Sequence, residues 1–500
     1  MSNRTARFTA GIVTGYAAVI VNILYTLFSV RLALQYLGKT EFGLWAIALQ
    51  VSGYLLLLDF GISTSMSRFV ADHKDQVNGG EYGGILRIGF IVFTLQGLVV
   101  AIAGALFSII ASRFLGVPGA FHQEFTNILL IITLTSGFSV ATRSIAVPLW
   151  AFQRMDVNNI SSIVSLATNI TLLWVGFRAG WGIYSFAYAG IPGAILSPLY
   201  CYWICQREGY YPSAECWGHP QWKVFRNMFS FGKDALLISL GSQLVNASQL
   251  MILGRLLGLD AAAIFSVGTK FYAMGQMVVA KILESSAPGL TELYVRGDEE
   301  LFARRFRDIV SMTAAVAAAA GAALLVGNRE LVGFWTHGAI LWPAVGDWLL
   351  APLLLFTSLS RCFVGLLGIT KNLRPVRYLY FLEGVVFVIL CFLFVKKFGI
   401  IGMLLSSLTA HLCVTSILSI LASRRIISEH YTIRAYLGGL AVIIVSGGII
   451  GFLLPNQHGL IVTLSFCGLI GLTSIIFALF VIFDVRLRDD LMAWTFKSFR

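Results

Sequence analysis

Charge is what this 500-residue chain has least of. Asp, Glu, Lys and Arg make up 12% of it, against roughly 25% in ordinary soluble domains. That leaves no room for a water-soluble domain. Cysteine is also sparse, 7 residues in all, an odd number with all but Cys216 inside apolar stretches. Cys201 and Cys205 share a helix face, but no His or second Cys pair completes a metal site, so buried free thiols are expected. There is no Gly-rich P-loop, no metal-binding His/Glu pair and no specific nucleophile motif. The chain is therefore not expected to hydrolyse ATP, to hold a cofactor or to be an enzyme. Its outer loops are too short to hold the donor and acceptor of an external glycosyltransferase or polymerase.

What the chain has is hydrophobic residues, 57% of the total, in long runs. Val19–Leu34, Val92–Ile110, Ile163–Gly176, Met312–Val326, Val385–Val395 and Leu460–Ile482 are the plainest. About 20 apolar residues match the ~30 Å hydrocarbon core of a bilayer. Spans are expected at 10–35, 42–66, 85–111, 125–150, 159–178, 181–205, 231–253, 262–287, 309–334, 347–370, 376–395, 399–422, 435–454 and 459–483. A β-barrel would show short alternating segments instead. The expected fold class is an all-α integral membrane protein of about 14 transmembrane helices. Arg4 and Arg7 precede a run too long for a signal-peptide core, so the first helix is expected to stay as an anchor.

Basic residues are unevenly shared between the two sets of loops. With a cytoplasmic N-terminus the outer set holds Lys39, Arg113, Arg178, Arg255, Arg329, Lys396 and Lys397, and the inner set about three times as many. Both termini are thus expected in the cytoplasm. The net charge of +12 is mostly this topology signal. Its spread over many short loops argues against a nucleic-acid partner.

The chain also repeats itself. Leu37-Gly38-Lys39-Thr40-Glu41-Phe42-Gly43-Leu44-Trp45 is followed about 220 residues later by Leu257-Gly258-Leu259-Asp260-Ala261-Ala262-Ala263-Ile264-Phe265. Asn22, Thr26 and Ser29 make a polar stripe on the first span, and Ser242, Asn246 and Gln249 make the same stripe on the seventh. Gln153-Arg154 corresponds to Thr370-Lys371, and Trp181-Gly182-Ile183 to Phe398-Gly399-Ile400. Six spans separate the copies, so both halves keep one orientation, as in parallel transporter repeats. The expected division is a six-helix lobe over 1–210, a cytoplasmic linker over 211–230, a second six-helix lobe over 231–425, and two extra helices with a cytoplasmic tail over 426–500.

Ionisable residues remain inside the spans: Arg31, Asp59, Arg143, Lys233, Asp234, Lys270, Lys281, Glu284, Arg361 and Glu383. A charge at mid-bilayer costs at least about 2.5–3.5 kcal/mol, so each should face protein or a wet cavity. Arg31, Arg143, Lys270 and Arg361 are candidate cavity cations for an anionic substrate, and the two polar stripes are candidate cavity walls. Asp59, Glu284 and Glu383 are candidate coupling or structural acids. Lys233, Asp234, Lys281 and Glu284 also fit pairing or snorkelling near span ends. His411 is expected to be a packed polar side chain. Trp45, Trp150, Trp181, Trp335, Trp342 and Trp348 are expected in an interfacial aromatic belt.

Gln35-Tyr36-Leu37-Gly38-Lys39-Thr40-Glu41-Phe42-Gly43-Leu44-Trp45-Ala46, then Leu57-Leu58-Asp59-Phe60-Gly61-Ile62-Ser63 and Arg68-Phe69-Val70-Ala71, resemble the start of bacterial polysaccharide and O-antigen flippases. These belong to the multidrug/oligosaccharidyl-lipid/polysaccharide exporter superfamily. The resemblance covers most of the chain, with the last two spans matching only in number. It implies two six-helix lobes in a V plus C-terminal helices, in the bacterial inner membrane. It also implies a substrate, an undecaprenyl-pyrophosphate-linked oligosaccharide carried to the outer leaflet, with H+ or Na+ as coupling ion and a polysaccharide polymerase or chain-length regulator as partner. A pyrophosphate needs fixed cations, and arginine suits it. Many relatives carry an Asp where this chain has Gln249, so coupling here would fall to Asp59, Glu284 or Glu383. A cation-coupled multidrug antiporter and a lipid II flippase are the alternatives on this fold.

Overall fold

In hydrocarbon a chain has no water to bond its backbone, and a helix satisfies that demand within one segment. The computed structural model of the protein, which describes residues 2–55, 57, 62–370, 373–424, 429–449, 460–483, 486 and 488, is helical throughout and contains no strand among those residues. Nine helices among the described residues are long and apolar enough to cross a membrane. The chain is a multi-pass, all-α integral membrane protein.

The first elements are α1 (Ser2–Tyr36), α2 (Lys39–Leu55), α3 (Ile62–His73), α4 (Glu81–Phe114), α5 (His122–Ala141), α6 (Arg143–Ala151), α7 (Met155–Arg178) and α8 (Tyr184–Arg207). Then come α9 (Trp222–Asn246), α10 (Ser248–Leu257), α11 (Leu259–Gly268), α12 (Lys270–Arg296), α13 (Glu299–Trp335) and α14 (Ala344–Ile369). The chain continues as α15 (Leu373–Ala410), a π-helical stretch His411–Ser416, α16 (Ile417–Ser423), α17 (Glu429–Val442), a second π stretch Ile443–Ile449 and α18 (Leu460–Val481). Each expected span falls on one helix or on consecutive helical pieces. The expected span 435–454 runs into residues 450–459, which lie outside the described residues, as does Asp59.

The expected spans 125–150, 231–253 and 262–287 are not continuous. They are interrupted at Thr142, Ala247 and Thr269. Only the last has beside it, at Gly268, the Gly or Pro that usually marks a break. Beside one of them the Ser248 hydroxyl is hydrogen-bonded to the Tyr54 hydroxyl, a tertiary contact that local sequence does not announce. The interruptions do not recur at the repeat offset. The repeat does recur at Gly182 and Gly399, whose φ values of 53° and 59° lie in the left-handed region that glycine alone adopts freely.

Two compact units are present: Met1–Gln243 with Ala247–Ala263, and Leu244–Asn246 with Ile264–Arg500. In the first, α4 packs on α5 and α7 on α8. At the α4–α5 crossing Gly97 faces the Gly137 carbonyl and Gly137 faces the Gly97 carbonyl, so a side chain at either would collide with backbone. Such small-residue crossings let helices approach closely where hydrophobicity no longer drives association. After α8 the chain turns back over the start of α4: Arg87 donates to the Gly218 carbonyl at 2.7 Å and Tyr82 to the Tyr210 carbonyl at 2.8 Å. Arg154 bonds Asp156 at 3.0 Å and Glu208 at 3.3 Å, tying the α6–α7 turn to the same segment.

The two Leu-Gly turns also meet within this unit. Thr40 Oγ1 donates to Asp260 Oδ1 at 2.8 Å, and Gly43 lies directly against the Leu259 carbonyl. In the second unit α13 packs against α12, α14, α17 and α18. Its buried face is rich in alanine: Ala314, Ala315, Ala317, Ala318, Ala319 and Ala322. Gly297 closes α12 in the left-handed conformation. Asp298 opens α13 by accepting from the Leu301 N–H at 3.1 Å.

Gly43→Val should therefore wedge the two turns apart and lower stability by about 1–3 kcal/mol. Gly38→Ala, whose added carbon meets nothing within 4 Å, is the control and should melt like the parent in detergent.

Candidate functional site

On α12, residues Gln276, Val279, Ala280 and Leu283 follow helical spacing and share one face. With Thr357, Ser358, Arg361 and Cys362 of α14 and Thr313 of α13 they line a recess in the second unit. Gln276 Nε2 donates to Tyr272 Oη at 2.7 Å and to Thr357 Oγ1 at 2.8 Å. Thr357 Oγ1 in turn donates to the Leu353 carbonyl at 2.7 Å. Arg361 is exposed at this recess, within Coulombic range of Tyr272 and Tyr380. Among the described residues no carboxylate lies within ion-pair distance of its guanidinium.

Behind Arg361 lies a buried polar network. Glu383 is 4% exposed and His411 7%, and His411 Nδ1 meets Glu383 Oε1 at 2.8 Å. The Thr415 hydroxyl donates to the other carboxylate oxygen. His411 Nε2 meets Ser360 Oγ at 3.1 Å, and Ser360 Oγ lies 3.2 Å from both Ser416 Oγ and Tyr436 Oη. His411 is thus a packed polar side chain whose ring joins Glu383 to α14. Its π-helical stretch places His411, Thr415 and Ser416 on this network together, and π segments concentrate at functional sites.

The other expected residues fall in several places. Lys270 opens α12, half-buried, with no carboxylate within ion-pair distance among the described residues. Gln276 lies six residues further on, about 9 Å of helix axis. Arg31 is exposed on α1, and Arg143 begins α6, half-buried and engaged in an interaction of its own. Both belong to the first unit, whereas Lys270 and Arg361 belong to the second.

In the first stripe Thr26 Oγ1 donates to the Asn22 carbonyl at 2.9 Å and Ser29 Oγ to the Thr26 carbonyl at 3.3 Å, which leaves each hydroxyl free only to accept. The second stripe is interrupted by the break at Ala247, between Asn246 and Gln249; Ser242, Asn246 and Gln249 are all engaged in interactions. Glu284 is exposed and bonded to Lys281 at 2.6 Å. The side chains of Lys233 and Asp234 lie outside the described residues.

Three features escaped the reading of the sequence. Tyr272 and Gln276 carry no charge and so did not stand out in an apolar span. Asp347 sits at the mouth of its span, where a carboxylate usually meets water, yet it is 2% exposed. Its Oδ1 accepts from Trp342 Nε1 at 2.7 Å and Asn328 Nδ2 at 2.6 Å. Trp342 and Trp45, expected in an interfacial belt, are instead buried, 3% and 8% exposed. Gly268 and Gly346 make the space into which Trp342 packs, and Trp45 stacks on Phe186 at 4.6 Å.

The fold is similar to that of solved transporters of the MOP superfamily. It matches the inward-facing conformation of a multidrug resistance MATE family transporter with TM-score 0.70 and 14% identity, covering 84% of this chain and 94% of that one. It matches the lipid II flippase MurJ in its inward closed conformation with TM-score 0.71 and 15% identity, covering 94% and 97%. A MOP superfamily transporter from Pyrococcus furiosus, described by the reverse polarity of its binding pocket, matches with TM-score 0.64 and 13% identity over 88% and 95%. A comparison with curated proteins finds no sequence match. The sequence profile of the family described as polysaccharide biosynthesis protein matches residues 9–293, and the chain belongs to that family.

The two acids should behave oppositely on removal. Glu284→Ala breaks only an exposed i,i+3 pair and should change stability by less than about 0.5 kcal/mol. Glu383→Ala strands His411 and Thr415 in the interior and should cost about 3 kcal/mol or more. Thermal unfolding in detergent compares them directly.

Proposed function

We propose that the protein flips a polyprenyl-pyrophosphate-linked oligosaccharide from the inner to the outer leaflet of the bacterial cytoplasmic membrane, by alternating access, for surface polysaccharide synthesis. The observation that carries this reading is Arg361, a cation at a membrane-embedded recess with no carboxylate paired to it among the described residues. An ion so placed is expensive unless its counter-charge arrives with the substrate. A pyrophosphate supplies that charge, and guanidinium binds it in bidentate fashion. Gln276, Tyr272 and Thr357 offer hydrogen-bonding groups beside it, and Lys270, at the start of α12, is a second candidate cation. Arg31, Arg143 and the stripes Asn22/Thr26/Ser29 and Ser242/Asn246/Gln249 are further groups for headgroup and sugar. The polyprenyl tail stays in lipid. Membership of a polysaccharide biosynthesis family supports this substrate over an organic cation, which would need an unpaired acid in place of Arg361.

The coupling ion is H+ or Na+, and the Glu383–His411 pair favours H+ because carboxylate and imidazole exchange protons within one hydrogen bond. Arg361 on α14, Tyr272 on α12, Tyr380 on α15 and Tyr436 on α17 are the titratable or charged groups around it. Ser360, bonded to His411, is the chain neighbour of Arg361, so α14 links the two sites. On this reading the protein is a carrier and not an enzyme, with both termini in the cytoplasm and a polymerase or chain-length regulator taking its product.

Arg361→Ala should reduce surface polysaccharide roughly tenfold or more and leave the lipid-linked precursor in the inner leaflet; adding Arg143→Ala should deepen the loss. Normal export by Arg361→Ala at wild-type protein level would remove the proposal, and drug extrusion by the purified protein would replace it with the antiporter. In proteoliposomes, Glu383→Gln should abolish the dependence of flipping on a pH gradient. Retention of that dependence would take Glu383 out of the coupling role.

A further inference from the structure

We infer that Asp347 is a positioning residue, which through Asn328 and Trp342 sets the start of α12 and with it the substrate-facing groups Lys270 and Gln276. This rests on the reading of Lys270 as a pyrophosphate-binding cation. The three side chains form a buried clamp around the α11–α12 break, with Asn328 0% exposed, Asp347 2% and Trp342 3%. Asp347 Oδ1 accepts from Trp342 Nε1 at 2.7 Å and from Asn328 Nδ2 at 2.6 Å. The same Asn328 nitrogen donates to the Gly268 carbonyl at 3.1 Å. Gly268 is the last residue of α11, Thr269 is the break and Lys270 is the first residue of α12. The Trp342 ring lies over the α-carbon of Gly268 so closely that no larger residue fits there.

The chemistry of the clamp is specific. The Asn328 amide uses its nitrogen twice, toward Asp347 and toward Gly268. Asp347 is the acceptor that orients that nitrogen, and Arg329, one residue from Asn328, lies within its Coulombic range. Burying a carboxylate at a span mouth is unfavourable beside simply exposing it to water. What the burial supplies is a pinned helix start: a helix advances 100° per residue, so a slip of one residue at Gly268 carries Lys270 and Gln276 to a different face.

The test is a double-mutant cycle on the full-length protein in lipid nanodiscs, with farnesyl pyrophosphate and farnesyl monophosphate as probes. Lys270→Met should weaken farnesyl pyrophosphate binding roughly tenfold, and Asp347→Ala, which removes the acceptor of both clamp bonds, by a similar factor. Asp347→Ala should also erode the preference for pyrophosphate over monophosphate. The double variant should bind no more weakly than Lys270→Met alone, because a residue acting through Lys270 has nothing left to position. Multiplying effects, or an Asp347→Ala protein that binds normally, would overturn the inference while leaving the anion site standing. Normal binding by Lys270→Met would remove the anion reading of Lys270 and this inference with it. Trp342→Phe, which deletes one of the donors to Asp347, replaces Asp347→Ala in the cycle if that variant does not fold, and the same non-additivity is required of it.

Discussion

An ion inside an apolar helix bundle must find a counter-charge, a ring of hydrogen bonds or a ligand, and the second unit is arranged around that demand. Glu383 is answered by His411 and Thr415, and Asp347 by Asn328 and Trp342. Arg361 has no such answer from a carboxylate among the described residues. On the proposed reading the contrast separates carboxylates already satisfied within the protein from a cation whose counter-charge comes with the substrate. It does so without reference to how unusual any residue looks in the sequence, where all of them are simply charges in apolar runs.

Helix α14 carries both kinds of group on neighbouring positions. Ser360 reaches His411, Ser416 and Tyr436, and so touches the network that joins α15, the π stretch and α17. Arg361 opens on the recess shared with α12 and α13. A rotation of α14 that suits one side is therefore felt on the other. Coupling between an ion and a substrate requires such a shared element with two arrangements, since each ligand shifts the equilibrium only by its differential affinity. In the proposed function α14, bordered by the Glu383–His411 pair on one side and by Arg361 on the other, would be that shared element.

Much of the fold was legible in the chain. Apolar runs of bilayer length located the helices, and the match of Trp181-Gly182-Ile183 with Phe398-Gly399-Ile400 located two glycines with positive φ. The helix breaks at Thr142 and Ala247 were not legible, because no Gly or Pro stands beside them and they are interrupted in the packed structure. Nor was the setting of Trp342 and Asp347, where a span-mouth position suggested lipid and water. Two glycines distant in sequence, Gly268 and Gly346, turn that corner into interior. For the site, the charges of Arg361, Lys270 and Glu383 stood out at once. Gln276 and Tyr272 near Arg361, and Thr415 on Glu383, are neutral and ordinary in type, so only three-dimensional proximity picks them out.

The meeting of the two Leu-Gly turns depends on their being unlike. Thr40 and Asp260 stand 220 positions apart, at matching places in the two Leu-Gly stretches, and they bond each other. Two aspartates at these places would set like charges side by side, and two threonines would forgo the charge-assisted bond. The similarity of the two stretches therefore stops where they touch, and the difference supplies one donor and one acceptor.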